Sequence, residues 1–301
     1  MEVNIKSTKK RAFSEKFFQG LFTAAALFAV VCVIAIIILI FMRGSRPFVP
    51  GNVYGTYNFF DFLTGTFWRP GFGEFGVGYM IFGSLFATFG AILLGVPIGI
   101  LTAVFIAEVA PKPIAKIMQP TVELLAAIPS VLYGVFGFAV IVPMLNRISP
   151  NPTGHSLLAV ILVLTIMVLP SIVAISVTSL HAVPKHYKEG SLALGASHIQ
   201  TIFQVLIPSA KSGILTAIVL GIGRAIGETM AVILVAGNPE SGIPTSIFDQ
   251  VRLLTTNIVL EQGYAAELQE QMLFATVIVL FIFILAINLT LAKIRKKAVE
   301  K

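Results

Sequence analysis

The sequence predicts an all-α integral membrane protein with six transmembrane helices. Apolar residues make up 56% of the 301-residue chain and charged residues only 12%, against about 25% charged in ordinary soluble domains. The apolar residues fall in runs of about 20 or more, the length that crosses a bilayer core. Lys and Arg also gather in alternate links between those runs, as a multi-pass topology requires.

Residues 1–16 read as a basic, mobile tail carrying Lys6, Lys9, Lys10, Arg11 and Lys16. The first span is expected over Phe17–Met42. Its apolar stretch is too long for a signal-peptide core, and no small-x-small cleavage pattern follows. With the external segment behind it, this region occupies 17–74. That segment is rich in Gly, Pro and aromatic residues, as in Trp68-Arg69-Pro70-Gly71-Phe72-Gly73. It should form turns, with its aromatics resting at the membrane interface; a docking surface for an external partner is the other reading.

The remaining spans are expected over Tyr79–Val109, Thr121–Leu145, Ser156–Leu180, Gly213–Gly237 and Gln271–Ile294, followed by a tail at 296–301. The second is longer than a crossing needs, and Pro97 supplies a bend. Pro129, Pro143 and Pro170 interrupt spans, either as packing kinks or as breaks beside a path. The pairs Gly95/Gly99 and Gly223/Gly227 predict close helix approach. Asn238-Pro239-Glu240-Ser241-Gly242 marks a turn, and Ile247 to Leu260 a short interfacial helix.

Of the 21 Lys and Arg, fifteen lie in the two tails and in the second-to-third and fourth-to-fifth connections. The positive-inside rule places both termini in the cytoplasm. Basic flanks beside anionic lipid account for the net charge of +7, so no nucleic-acid partner is needed. The external side carries Asp61, Glu74, Glu240, Asp249, Glu261, Glu267 and Glu270. An anionic cargo would therefore be delivered by a carrier protein rather than captured by bulk charge.

Several classes drop out. Cys32 is the only cysteine, so there is no intrachain disulfide and no cysteine metal site. His155, His181, His186 and His198 have no metal-ligand spacing. There is no phosphate-binding Gly-rich loop ending in Lys-Ser/Thr, and no nucleophile–base signature, so the chain is not expected to be an enzyme or to hydrolyse ATP.

Three groups of residues carry function. Glu189-Gly190-Ser191, then Gly195, then Val205-Leu206-Ile207-Pro208 form a polar segment between two apolar runs. A short helix, a Gly turn and a Pro stop make a rigid knob on the cytoplasmic side. Arg224 and Glu228 stand mid-span, four residues apart, and are expected to share one helix face and neutralise each other. Each would cost about 2.5–3.5 kcal/mol at the bilayer centre, so the pair should face the interior or a wet cavity. Arg suits an oxyanion because its planar fork donates two parallel hydrogen bonds. Glu123 is placed at the start of the third span, where a helix N-terminus favours a carboxylate. Ser130 and Tyr133 offer neutral donors, to an anion or to neighbouring backbone.

The 189–208 segment resembles the EAA coupling motif of ABC-importer permeases, with Gly190 and Ser191 in place of the two alanines. With Glu123 to Gly134 and the Arg-Ala-Ile-Gly-Glu-Thr-Met-Ala-Val block from Arg224, the chain resembles the PstC family of permease subunits of phosphate-specific ABC importers. The resemblance covers about 75–295. It implies a type I (MetI-like) permease core preceded by one extra N-terminal helix, in the cytoplasmic (inner) membrane. It implies a PstA-like second permease, two PstB-like ATPases that hold ATP and Mg, and a PstS-like extracytoplasmic phosphate-binding protein. No cofactor is expected on this chain. The resemblance places Arg224 and Glu228, with Glu123, Ser130 and Tyr133, along the translocation path, and Glu189, Gly190, Ser191, Gly195 and Pro208 at the ATPase. A permease for another oxyanion such as molybdate or sulfate, or an ATP-independent channel or secondary transporter, are the competing readings.

Overall fold

The computed structural model describes the backbone of residues 5–150 and 153–299, and side chains from 15–150 and 153–293. Helix α1 runs Ile5–Gly44. After it come α2 (Phe59–Thr64), a hairpin of β1 (Trp68–Arg69) and β2 (Glu74–Phe75), and α3 (Gly78–Val104), which continues through a π turn at Phe105–Val109. Next are α4 (Lys112–Ala126), α5 (Ser130–Phe136), a π turn at Gly137–Ile141, α6 (Val142–Asn146) and α7 (Leu157–His181). Then α8 (Lys185–Ala193), α9 (His198–Thr201), a third π turn at Ile202–Leu206 and α10 (Ile207–Ser209) lead into α11 (Lys211–Gly227). The chain closes with α12 (Met230–Ile233), α13 (Leu254–Gln262) and α14 (Glu267–Val299).

Four stretches are long and apolar enough to cross a membrane as single helices: Glu15–Phe48, Gly78–Val109, Leu157–His181 and Glu267–Lys293. Two further pairs are bent, by 96° between Lys112–Ala126 and Ser130–Asn146, and by 70° between His198–Ser209 and Lys211–Gly227, giving up to six spans. The expected third span, Thr121–Leu145, is thus corrected: its first turn belongs to α4, which runs almost at right angles to α5. Pro129 is the cause. It disfavours helical geometry at Ile128 and stands as the extended residue before α5 (φ −56°, ψ 136°). Pro143 is accommodated just after a π turn, and Pro97 and Pro170 sit inside continuous helices.

The expected mobile tail is also corrected, because α1 is helical from Ile5; residues 1–4 lie outside the described part. Lys, Arg, Ala and Glu between Ile5 and Lys16 are good helix formers, and no Pro or Gly interrupts them.

The main core lies between α3 and α7, where Ala87, Ala91, Leu164, Met167 and Val168 have essentially no exposed surface. Gly95 and Gly99 let these helices close, as the sequence predicts. A Cβ on Gly99 would stand 2.8 Å from Ile172 Cγ2, and one on Gly95 3.1 Å from Val168 Cγ2. A Cβ on Gly223 or Gly227 would meet nothing within 4 Å among the described residues, so their predicted close approach is not made there.

The external segment folds as a compact cap. Asn58 Oδ1 accepts from Phe60 N–H at 2.8 Å to start α2, and Gly73 turns the hairpin at φ 69°. Trp68 is fully buried against Phe75, ring centroids 5.2 Å apart, rather than resting at the interface. Its backbone N–H donates to the Glu240 carbonyl at 2.8 Å, so the 238–242 turn lies over it. The expected helix near Ile247 to Leu260 begins instead at Leu254, and its first turn is buried. The Leu254 N–H donates to Ser84 Oγ at 3.1 Å, drawing the helix against α3.

Candidate functional site

The helix that carries Arg224 stops at Gly227. Glu228 is extended (φ −71°, ψ 132°), and one turn of helix, α12, comes next. The expected helical pair is therefore absent: an i, i+4 relationship needs four continuous helical residues, and no ion pair joins Arg224 to Glu228. Arg224 Nη1 donates instead to Ser171 Oγ on α7 at 2.8 Å. Arg224 is half-buried, and this partner is neutral.

Glu228 is buried. Its Oε1 accepts from the Ala231 N–H at 3.1 Å and so satisfies a free donor at the start of α12. Its backbone carbonyl, released by the break, accepts from Thr255 Oγ1 at 3.0 Å. Both groups stranded by the interruption thus find partners, as buried polar groups must.

The interruption at Pro129 is resolved in the same way. Tyr133 is buried, and its hydroxyl donates to the Leu125 carbonyl at 2.7 Å, which also accepts from the Ile128 N–H at 3.2 Å at the end of α4. In this structure that proton goes to backbone. Ser130 opens α5 and is half-buried. The two breaks meet, because a Cβ on Gly134 would lie 2.7 Å from Ala231 Cα. Arg224 stands within Coulombic reach of Tyr133.

Glu123 is not drawn into this group. It lies exposed one turn from the C-terminal end of α4, accepting from Gln119 Nε2 at 3.4 Å. The expected N-terminal placement is reversed, so the helix dipole there disfavours its carboxylate.

The knob is present as two short helices joined by a tight turn. Glu189, Gly190 and Ser191 lie on α8, which buries none of its residues. Gly195 makes the turn at φ 85°. Ser197 and Gln200 then form a reciprocal cap on α9, with Ser197 Oγ accepting from Gln200 N–H at 3.2 Å. The Ser191 and Thr201 hydroxyls meet at 2.9 Å. Leu194 is 91% exposed, with Ile199 and Phe203 also exposed. Pro208 does not stop the helix; the preceding π turn accommodates it, and the chain bends at Ala210.

Sequence reasoning missed Ser171, Thr255, and the partners Lys188 and Glu108, which join at 2.5 Å. Ser171 carried one signal, a hydroxyl directly after a mid-span proline.

Residues 95–298 match the family described as "Binding-protein-dependent transport system inner membrane component". The chain is 39% identical over 292 residues to a probable ABC transporter permease protein, YqgH, of Bacillus subtilis (strain 168), covering 94% of this chain and 93% of that one. It is 31% identical over 296 residues to the phosphate transport system permease protein PstC of Mesorhizobium japonicum, covering 92% and 88%. PstC of Haemophilus influenzae is 31% identical over 298 residues, covering 91% and 92%. Among solved structures, a bacterial alginate ABC transporter with its pentasaccharide-bound periplasmic protein superposes with TM-score 0.67 at 18% identity, covering 94% of both chains. The inward-facing MetNI methionine ABC transporter gives 0.54 at 21% identity, covering 74% and 94%. These structures share the fold. The chain belongs to the binding-protein-dependent transport system inner membrane component family, as a homologue of the PstC permeases.

Proposed function

We propose that this chain is the permease subunit of an ATP-driven inorganic phosphate importer, forming the path by alternating access with a PstA-like partner. The observation that supports this most is Arg224: a half-buried arginine in a membrane helix, steadied by neutral Ser171 and not neutralised by Glu228. Such a group is costly in a membrane and is retained for a substrate or a gate. Its planar fork suits a phosphate oxyanion, and the likeness to PstC narrows the cargo. Two PstB-like ATPases, holding ATP and Mg, would grip the α8–α10 knob through Leu194 and Ile199. A PstS-like protein would deliver phosphate to the external cap. The basic links support a cytoplasmic position for that knob and both termini.

The first relative has no cargo in its name, so anion competition is the test. Uptake of labelled phosphate by the assembled complex should be competed by phosphate and not by molybdate or sulfate. Competition by either of those anions at equal concentration would assign the path to them. Copurification of the chain with an ATPase tests the rest, and uptake indifferent to ATP depletion would overturn it.

A further inference from the structure

We infer that the Lys188–Glu108 ion pair is a strut that carries movement of α8 into α3. The inference rests on the importer reading above. Lys188 stands in the middle of α8, and its Nζ lies 2.5 Å from Glu108 Oε2. Glu108 belongs to the π turn that ends the α3 span, and its side chain is only 10% exposed. A carboxylate so covered is weakly screened, and removing its partner leaves a buried charge uncompensated.

The surroundings make this pair the firm link. Helix α8 buries no residue of its own. Between it and the core lies a cavity of about 360 Å³ walled by Ala107, Leu180, Val183 and Leu206, with His181, Lys185 and Glu189 also facing it. Apolar contact between α8 and the α3 span is thus indirect, through the 202–206 turn and the cavity that Leu192 and Ala107 both line. Covalently, α8 is tied to α7 through residues 182–184, and the buried cluster of Ala103, Val104 and Ile106 with Val177, Leu180, Ile202 and Leu206 links α7 to the end of the α3 span indirectly; the ion pair is the direct side-chain link from α8 to that end. A π turn is a wide, adaptable coil common at functional sites, and this one places the carboxylate at the end of the Gly78–Val109 span. Lys188 and Glu108 are thus positioning residues, acting on the path through α3.

Charge reversal tests the strut in the assembled, reconstituted complex, with phosphate uptake and ATP hydrolysis measured together. Lys188→Glu and Glu108→Lys should each assemble and hydrolyse ATP yet move about tenfold less phosphate per ATP, within the usual range of coupling between sites. The double swap should restore the ratio to within about twofold. A ratio unchanged in the single variants, a swap no better than either, or transport lost only in proportion to lost assembly would overturn the inference. Should the reversals fail to assemble, Lys188→Met with Glu108→Gln leaves no buried charge, and its ratio should be low while assembly is normal; a normal ratio overturns the strut. Amide hydrogen exchange over 185–193 gives a readout free of cargo. It should rise in the single variants and return in the swap, and unchanged exchange counts against the strut. A wild-type complex that hydrolyses ATP but takes up no phosphate would refute the cargo reading alone.

Discussion

The Tyr133 hydroxyl and the Leu125 carbonyl meet at 2.7 Å across the 96° turn between α4 and α5. The bond is the local price of placing Pro129 in a membrane segment. It identifies Tyr133 as a brace, and the variant Tyr133→Phe separates that role from contact with cargo. Its loss should lower stability by about 1 kcal/mol, the worth of one hydrogen bond, with the Leu125 carbonyl keeping the Ile128 N–H as its donor. Thermal unfolding in detergent should show the shift while the KM for phosphate stays unchanged. A raised KM with unaltered stability would return the hydroxyl to the path.

Arg224 and Ser171 make a separable pair. Arg224→Gln should abolish uptake while the complex still assembles, because the charge is gone but the chain is not. Ser171→Ala should be milder, removing only the group that steadies the guanidinium, and a severalfold rise in KM corresponds to about 1 kcal/mol. Full transport by Arg224→Gln would remove this residue from the mechanism.

Glu228 is read from its contacts as a cap on α12 rather than as the partner of Arg224. Glu228→Gln keeps an acceptor oxygen for the Ala231 N–H, whereas Glu228→Ala leaves that donor bare at a cost of about 1 kcal/mol. Uptake and thermal stability should therefore fall further in the Ala variant than in the Gln variant. Equal and complete loss in both, with normal stability, would mean that the charge itself is required.

The knob distinguishes its two glycines. Gly195 sits at φ 85°, and Gly195→Ala should cost about 1–2 kcal/mol and loosen ATPase association. A Cβ on Gly190 meets nothing within 4 Å. Gly190→Ala should be neutral or strengthen α8 by up to about 1 kcal/mol. Copurification yields of the ATPase in matched preparations would check both.

Much of this was legible in the sequence because it is local. The run of apolar residues from Phe17 marks a span by length alone, and Gly95 and Gly99 mark a close helix contact by spacing. The break at Pro129 was foreseeable as one of two alternatives because proline acts on its own neighbour. The break at Glu228 was not. Nothing between Gly223 and Val232 forbids a helix, and the interruption is supported by Thr255, a hydroxyl 27 residues away in sequence. Trp68 misled for a similar reason, since an aromatic in an external loop looks interfacial until the 238–242 turn is seen to cover it. Arg224 stands out in the sequence as a charge within an apolar run, but its partner lies on another helix, and no pattern along the chain names Ser171.

Helix α1 meets the remainder of the chain mainly through α14, with Cys32, Ile37 and Ile40 partly covered and Gly44 buried. There Arg43 pairs with Glu270, Gly44 lies against the Phe274 backbone and Phe41 meets Phe281 edge-on at 6.3 Å. None of its most apolar window is buried within the chain. With 40 residues it is about 60 Å long, twice the hydrocarbon thickness. A mast held over its C-terminal part by α14 can lean with that helix to fit the bilayer. Changes in lipid thickness should thus be absorbed as tilt of this pair, which lets the same core sit in membranes of different depth.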